Sequence, residues 1–75
     1  MKIKQKKNYV LLGSNLGKDT FMCADLREIN WIKALPLFSS DKKVYYLEYK
    51  GNPPKWVVKW LVSFLKKQGK IVVNA

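Results

Sequence analysis

The segment YVLLGSNLGKDTF, residues 9–21, sets Gly13, Gly17, Lys18 and Thr20 close together after an apolar run. Residues of these types cradle phosphate when successive backbone amides converge on it and a hydroxyl meets magnesium. That chemistry needs the spacing G-x-x-x-x-G-K-[ST]. Here three residues, not four, separate Gly13 from Gly17, and Asp19 stands where the hydroxyl belongs. A carboxylate at that place repels phosphate. The phosphate-loop reading fails on both spacing and charge.

Other catalytic groupings are equally incomplete. The chain has no histidine, so Ser14, Ser39, Ser40, Ser63 and Cys23 lack the usual base. The acids Asp19, Asp25, Glu28, Asp41 and Glu48 are scattered, and a single cysteine without histidine forms neither a disulfide framework nor a zinc site within one chain. The stretch LLGSNLG resembles the opening of the dihydropterin pyrophosphokinases of folate synthesis, where a strand leads into a GSNLG loop. The likeness covers residues 11–17. It would imply paired aspartates for magnesium and a later segment with arginine and histidine. This chain has one arginine, no histidine and no closely spaced acidic pair after the loop. The segment is therefore read as a hairpin loop, and the expectation is a protein that is not an enzyme and uses no cofactor and no metal.

Charge points elsewhere. Fifteen Lys+Arg oppose five Asp+Glu, a formal net charge of +10, and all the basic residues except Arg27 are lysines. Such a surface suits polyanions. Lysine favours sequence-tolerant phosphate contact, whereas arginine forks read guanine edges. The expected function is a small nucleic-acid-binding module of low sequence specificity, acting on single-stranded DNA or RNA. Its candidate contacts are Lys2, Lys4, Lys6, Lys7, Lys18, Lys42, Lys43, Lys50, Lys55 and Lys59. Tyr46 is the expected stacking platform, with Tyr9 beside it. In KVYYLEYK the pleat puts Tyr45, Leu47 and Tyr49 on one face and Val44, Tyr46 and Glu48 on the other. Leu47 favours burying the Tyr45 face.

The elements that must position these residues follow from pattern. Residues 8–12 and 20–23 read as strands joined by the hairpin loop, and residues 1–7 either extend the first strand or form a mobile basic arm. Asp25 with Glu28 three positions on makes a capping-box pattern, and Leu26, Ile29, Ile32 and Leu35 recur at helical spacing with Trp31 beside them. A helix is expected from Asp25 until Pro36 ends it. Residues 43–49 are a strand, Pro53-Pro54 opens a second helix over 54–68, Gly69 caps it, and KIVVNA closes the chain as a strand. The order β-β-α-β-α-β predicts one α+β domain over 1–75, a small two-layer sandwich whose mixed four-stranded sheet carries two helices on one face.

The second helix is too apolar for one sheet face. Trp56, Val57, Val58, Trp60, Leu61, Val62, Phe64 and Leu65 spread over about two thirds of its circumference, whereas one face needs little more than 100°. The first helix covers the surplus, or a partner does. Trp56, Trp60 and Phe64 are the candidate partner interface of an alternative function, an accessory or regulatory subunit that self-associates or docks on a larger replication- or phage-type protein. A membrane surface is the least favoured partner. The basic start is followed by too short an apolar run for a secretory signal, and no run approaches the ~20 residues of a membrane span. The expected location is the cytoplasm.

Overall fold

Strand alternation organises more of the chain than its helical periodicities do. In the computed structural model, which describes residues 3–13, 19–27, 29–37 and 43–73, the elements are β1 (Ile3–Lys6), β2 (Tyr9–Leu12), β3 (Phe21–Asp25), β4 (Trp31–Pro36), β5 (Val44–Lys50), α1 (Lys55–Lys67) and β6 (Ile71–Val72). The six strands form one sheet in sequence order. Each neighbouring pair from β1 to β5 is antiparallel, and α1 carries the chain across so that β6 lies parallel to β5. The expected sandwich is thereby corrected. Among the described residues the sheet has six strands, not four, and it carries one helix, not two.

The missing helix is the main correction. Residues 21–36 form a β3–β4 hairpin in which Cys23 faces Ile32 and Phe21 faces Ala34. Asp25 caps no helix. Its carboxylate Oδ1 instead accepts from the Arg27 backbone N–H at 2.8 Å, turning the chain. Leu26 and Ile29, counted as the start of an apolar helix face, are exposed in that turn. Glu28, the other half of the capping pattern, lies outside the described residues. Within the basic start, Ile3–Lys6 is strand and pairs with Tyr9–Leu12.

One face of the sheet meets α1. From the strands come Tyr9, Leu11, Phe21, Cys23, Ile32, Ala34 and Tyr45, and from the helix Val57, Leu61 and Leu65, all buried. The leucines, Ile32, Val57 and Phe21 each contribute about 1.5–3 kcal/mol by leaving water, and Ala34 less. The helix starts after Pro54, whose extended backbone has no side-chain cap bond. It ends in a Schellman arrangement: Lys70 N–H donates to Leu65 O and Gly69 N–H to Lys66 O, both at 3.0 Å, with Gly69 at φ +80°. Trp56, Val58, Trp60 and Phe64 pack against the same core as partly buried flanks. Most of the apolar surplus of the helix therefore goes onto the sheet core, not onto a second helix; Val62 instead lines a groove with Lys59, Ser63 and Lys66. Among the described residues no helix is long and apolar enough to cross a membrane.

The opposite sheet face has no covering element among the described residues. The register places Val10, Leu12, Met22, Ala24, Trp31, Leu35 and Tyr46 there, all half-buried. Apolar residues on both faces of β3 and β4 explain why alternation is hard to see in them.

Candidate nucleic-acid interface

The edge strand β1 brings lysines to the flank of α1. Lys4 lies opposite Leu11 and Lys6 opposite Tyr9, so both share the helix-covered face. At a sheet edge the aliphatic stem can run over apolar surface while the ammonium stays in water. The Lys4 Nζ stands 5.3 Å from the Phe64 ring centre, and those of Lys6 and Lys7 stand 6.0 and 5.2 Å from the Trp56 ring. Charge and π-face meet closely enough for a cation–π attraction of about 0.5–1 kcal/mol each at an exposed site. The rings themselves form a row. Trp56 meets Tyr9 edge-on at 5.6 Å and tilts against Trp60 at 6.0 Å, while Phe64 meets Phe21 at 5.6 Å.

At the end of this row where α1 begins, three connections converge. The β1–β2 turn supplies Lys7 and Asn8, the β3–β4 turn Arg27 and Asn30, and the link into α1 Asn52 and Pro54. Backbone and side-chain bonds tie them together. Leu26 N–H donates to Asn8 O at 2.8 Å, and Asn52 N–H donates to Asn30 Oδ1 at 3.2 Å. Asn30 Nδ2 in turn reaches Tyr9 Oη at 3.5 Å. Gly51, at φ +74°, makes this approach possible, since a Cβ there would collide with Asn30 Oδ1. Arg27 is held by the buried Asp25 carboxylate, its Nε donating to Oδ1 at 3.2 Å and its Nη2 to Oδ2 at 3.0 Å. Those side-chain bonds, then the Arg27 backbone bond, hold the Asp25 carboxyl below its ordinary range against the opposing effect of burial. The Arg27 side chain is itself 68% exposed, so donors remain for the solvent side.

The lysines expected at a nucleic-acid site do not all gather here. Lys4, Lys6 and Lys7 do, and they join Trp56, Trp60 and Phe64, which the sequence had suggested for a separate partner interface. Lys43, Lys50, Lys55 and Lys59 are exposed elsewhere. Lys50 lies opposite Trp31 on the uncovered face, and Lys59 borders a shallow groove with Val58, Val62, Ser63 and Lys66 on the outer side of α1. Lys2, Lys18 and Lys42 lie outside the described residues, as do residues 14–18 of the expected hairpin loop and Ser39, Ser40 and Asp41. Tyr46 sits opposite Leu35 on the uncovered face. Tyr9 is buried on the other face, so the pairing of Tyr9 with Tyr46 is corrected.

Several residues escaped the sequence reading. Trp31, with the Lys33 Nζ 4.7 Å from its ring centre, was hidden inside the supposed helix. Arg27, Asn30 and Asn52 belong to turns that only the register brings together; the Gly51-Asn52 pair was the one local signal. Lys70 lies over the Phe21 and Tyr45 rings at 5.9 and 5.5 Å. Cys23, the lone thiol, is fully buried and burial pushes its pKa up to about 12, which removes it as a nucleophile at neutral pH. Comparison with family models, with curated proteins and with solved structures finds no match to this chain.

Proposed function

We propose that the chain is a small non-catalytic nucleic-acid-binding module that holds a single strand along β1 and the Trp56–Trp60–Phe64 flank of α1. The observation that carries this reading is the interleaving of Lys4, Lys6 and Lys7 with half-buried aromatic rings on one edge. Lysines follow the phosphates while bases take the ring faces, a combination tolerant of sequence and worth roughly 1–3 kcal/mol per stacked base. Titration of a labelled strand of about 20 nucleotides at several salt concentrations tests it, with a duplex control. Three neutralised phosphates give a slope of log K against log salt near −2, or roughly 20-fold weaker binding between about 50 and 200 mM salt. Lys4→Glu with Lys6→Glu abolishes binding, whereas Lys43→Ala changes it little. Affinity weaker than about 10⁻⁴ M at low salt, or equal losses from every lysine, refutes this surface.

The uncovered sheet face favours a second reading, an accessory subunit that docks on another protein. Its contact face would be the half-buried sheet around Trp31, Leu35 and Tyr46, which no described element covers. Asp substitution at Leu35 would then abolish capture by the partner while leaving strand binding intact.

A further inference from the structure

We infer that the cavity where the three connections meet takes one nucleotide unit, a base with its phosphate. Trp56 forms its aromatic wall, the carboxamides of Asn8 and Asn52 meet the base edge while Asn30, tied to Asn52 N–H and Tyr9 Oη, holds the connections together, and Lys7 with Arg27 hold the phosphate. The choice of ligand rests on the strand-binding reading above, and the cavity lies at one end of that row of rings.

Four observations carry it. The cavity is a cleft open to solvent, with a volume of about 320 Å³, lined by these six residues with Tyr9 and Pro54. That is within the size range of small-ligand sites. Its donors and acceptors match a nucleotide in kind, since carboxamides offer paired donor and acceptor to base edges and a guanidinium forks onto phosphate. The site is built before any ligand arrives, because Asp25 pins Arg27 and the Asn52 backbone pins Asn30. Finally, Lys7 adopts φ +55° in the two-residue β1–β2 turn, a conformation suited to glycine or asparagine, and from there its ammonium reaches the Trp56 ring. Keeping a lysine in a strained backbone position is accounted for by what its side chain does.

The test follows the indole N–H of Trp56 and the side-chain amides of Asn30 and Asn52 by NMR in the full chain. Adenosine 5′-monophosphate, adenosine and inorganic phosphate are titrated separately, and the 20-nucleotide strand in parallel. The mononucleotide gives saturable shifts confined to the three connections, and the nucleoside and phosphate each bind at least about tenfold more weakly, as expected when both halves contribute a hydrogen-bonded contact. Lys7→Gly, which suits the positive φ and so keeps the fold, weakens mononucleotide binding about tenfold through loss of a charge-assisted contact. Trp56→Leu does the same by removing the wall. A strand that binds with the expected salt slope while mononucleotide moves none of these resonances refutes the cavity and leaves the strand reading standing. Mononucleotide that saturates the site while the strand fails to bind refutes the strand reading and identifies a site for free nucleotides. Unchanged affinity in Lys7→Gly overturns the assignment of Lys7.

Discussion

Gly51→Ala tests whether the three connections are locked as described. Two costs separate cleanly, because among the described residues Gly51 and Gly69 both stand at positive φ but in different surroundings. Gly69, at φ +80°, has open space where a Cβ would go, so Gly69→Ala meets backbone strain alone. An alanine in this region costs roughly 1–2 kcal/mol, offset in part by the stiffer unfolded chain, which leaves about 1 kcal/mol. Gly51, at φ +74°, carries the same strain, but its Cβ would also strike Asn30 Oδ1 and approach Ile29 O at 3.4 Å. The carboxamide must move, and the bond from Asn52 N–H to Asn30 Oδ1 is lost with it. A lost hydrogen bond adds about 1 kcal/mol, more if a polar group is left unpaired, for a total near 2–3 kcal/mol. In a domain of this size about 1 kcal/mol moves Tm by roughly 4–8 °C, so Gly69→Ala falls by that much and Gly51→Ala by two to three times as much. Urea denaturation followed by circular dichroism provides the free energies, and in an Asn30→Ala background, where that bond is already absent, Gly51→Ala should cost only the strain. Equal losses from the two glycines would refute the lock between the β3–β4 turn and the link into α1.

Two further perturbations address single groups. Arg27 holds the folded Asp25 carboxyl below the ordinary carboxylate value of 3.8, so the unfolded chain takes up this proton first as pH falls. Its contribution is therefore complete above the unfolded pKa and is lost as pH drops through the lower folded pKa. Urea midpoints against pH should show that acid limb, and Asp25→Asn should flatten it; an identical acid limb in the variant would contradict the assignment. Cys23, with a pKa of about 12, exposes only about one thiolate in ten thousand at about pH 8 and is buried besides. A thiol reagent should leave the native protein unmodified and react promptly in denaturant; reaction at the same rate in both would show that the β3 core opens freely.

What was legible in the sequence depended on whether local and tertiary signals agreed. Residues 44–50 and 55–67 carry strong single signals, β-branched and aromatic residues in one and proline start and glycine stop in the other, and both elements stand where expected. The segment 25–36 carried two patterns at once. Leu26, Ile29, Ile32 and Leu35 fit a helical period, while Ile32 and Ala34 also alternate with Trp31, Lys33 and Leu35. Because Trp31 and Leu35 of the second set are apolar too, Lys33 alone does not mark a polar face, and pairing with β3 and β5 on either side decides the element. Tertiary pairing overrode local periodicity. The site was partly legible for the same reason. Lysine and aromatic types could be named, but their meeting at β1 and α1 depends on the register Lys4 to Leu11 and Lys6 to Tyr9, which no local rule supplies.

The lysines of β1 have a second physical explanation, and the two make different demands. An edge strand offers unpaired backbone groups to any other strand, and inward-pointing charge is a common protection. Lys4 and Lys6 fit that role because they share the helix-covered face at the sheet margin. Edge protection, however, is indifferent to the sign of the charge and to what lies beneath it. Glutamate at both positions would guard the edge as well as lysine does, and would lower the self-repulsion of a chain at +10. Strand binding requires positive charge, and it requires that charge beside the rings of Phe64 and Trp56, where the ammoniums stand. The charge-reversed double variant therefore separates the explanations. If it stays monomeric and folded but loses the single strand, edge protection is satisfied by either sign and the lysines are there for phosphate. If it keeps binding, the positive charge of this edge has no part in recognition, and the protein-docking reading of the uncovered face takes precedence.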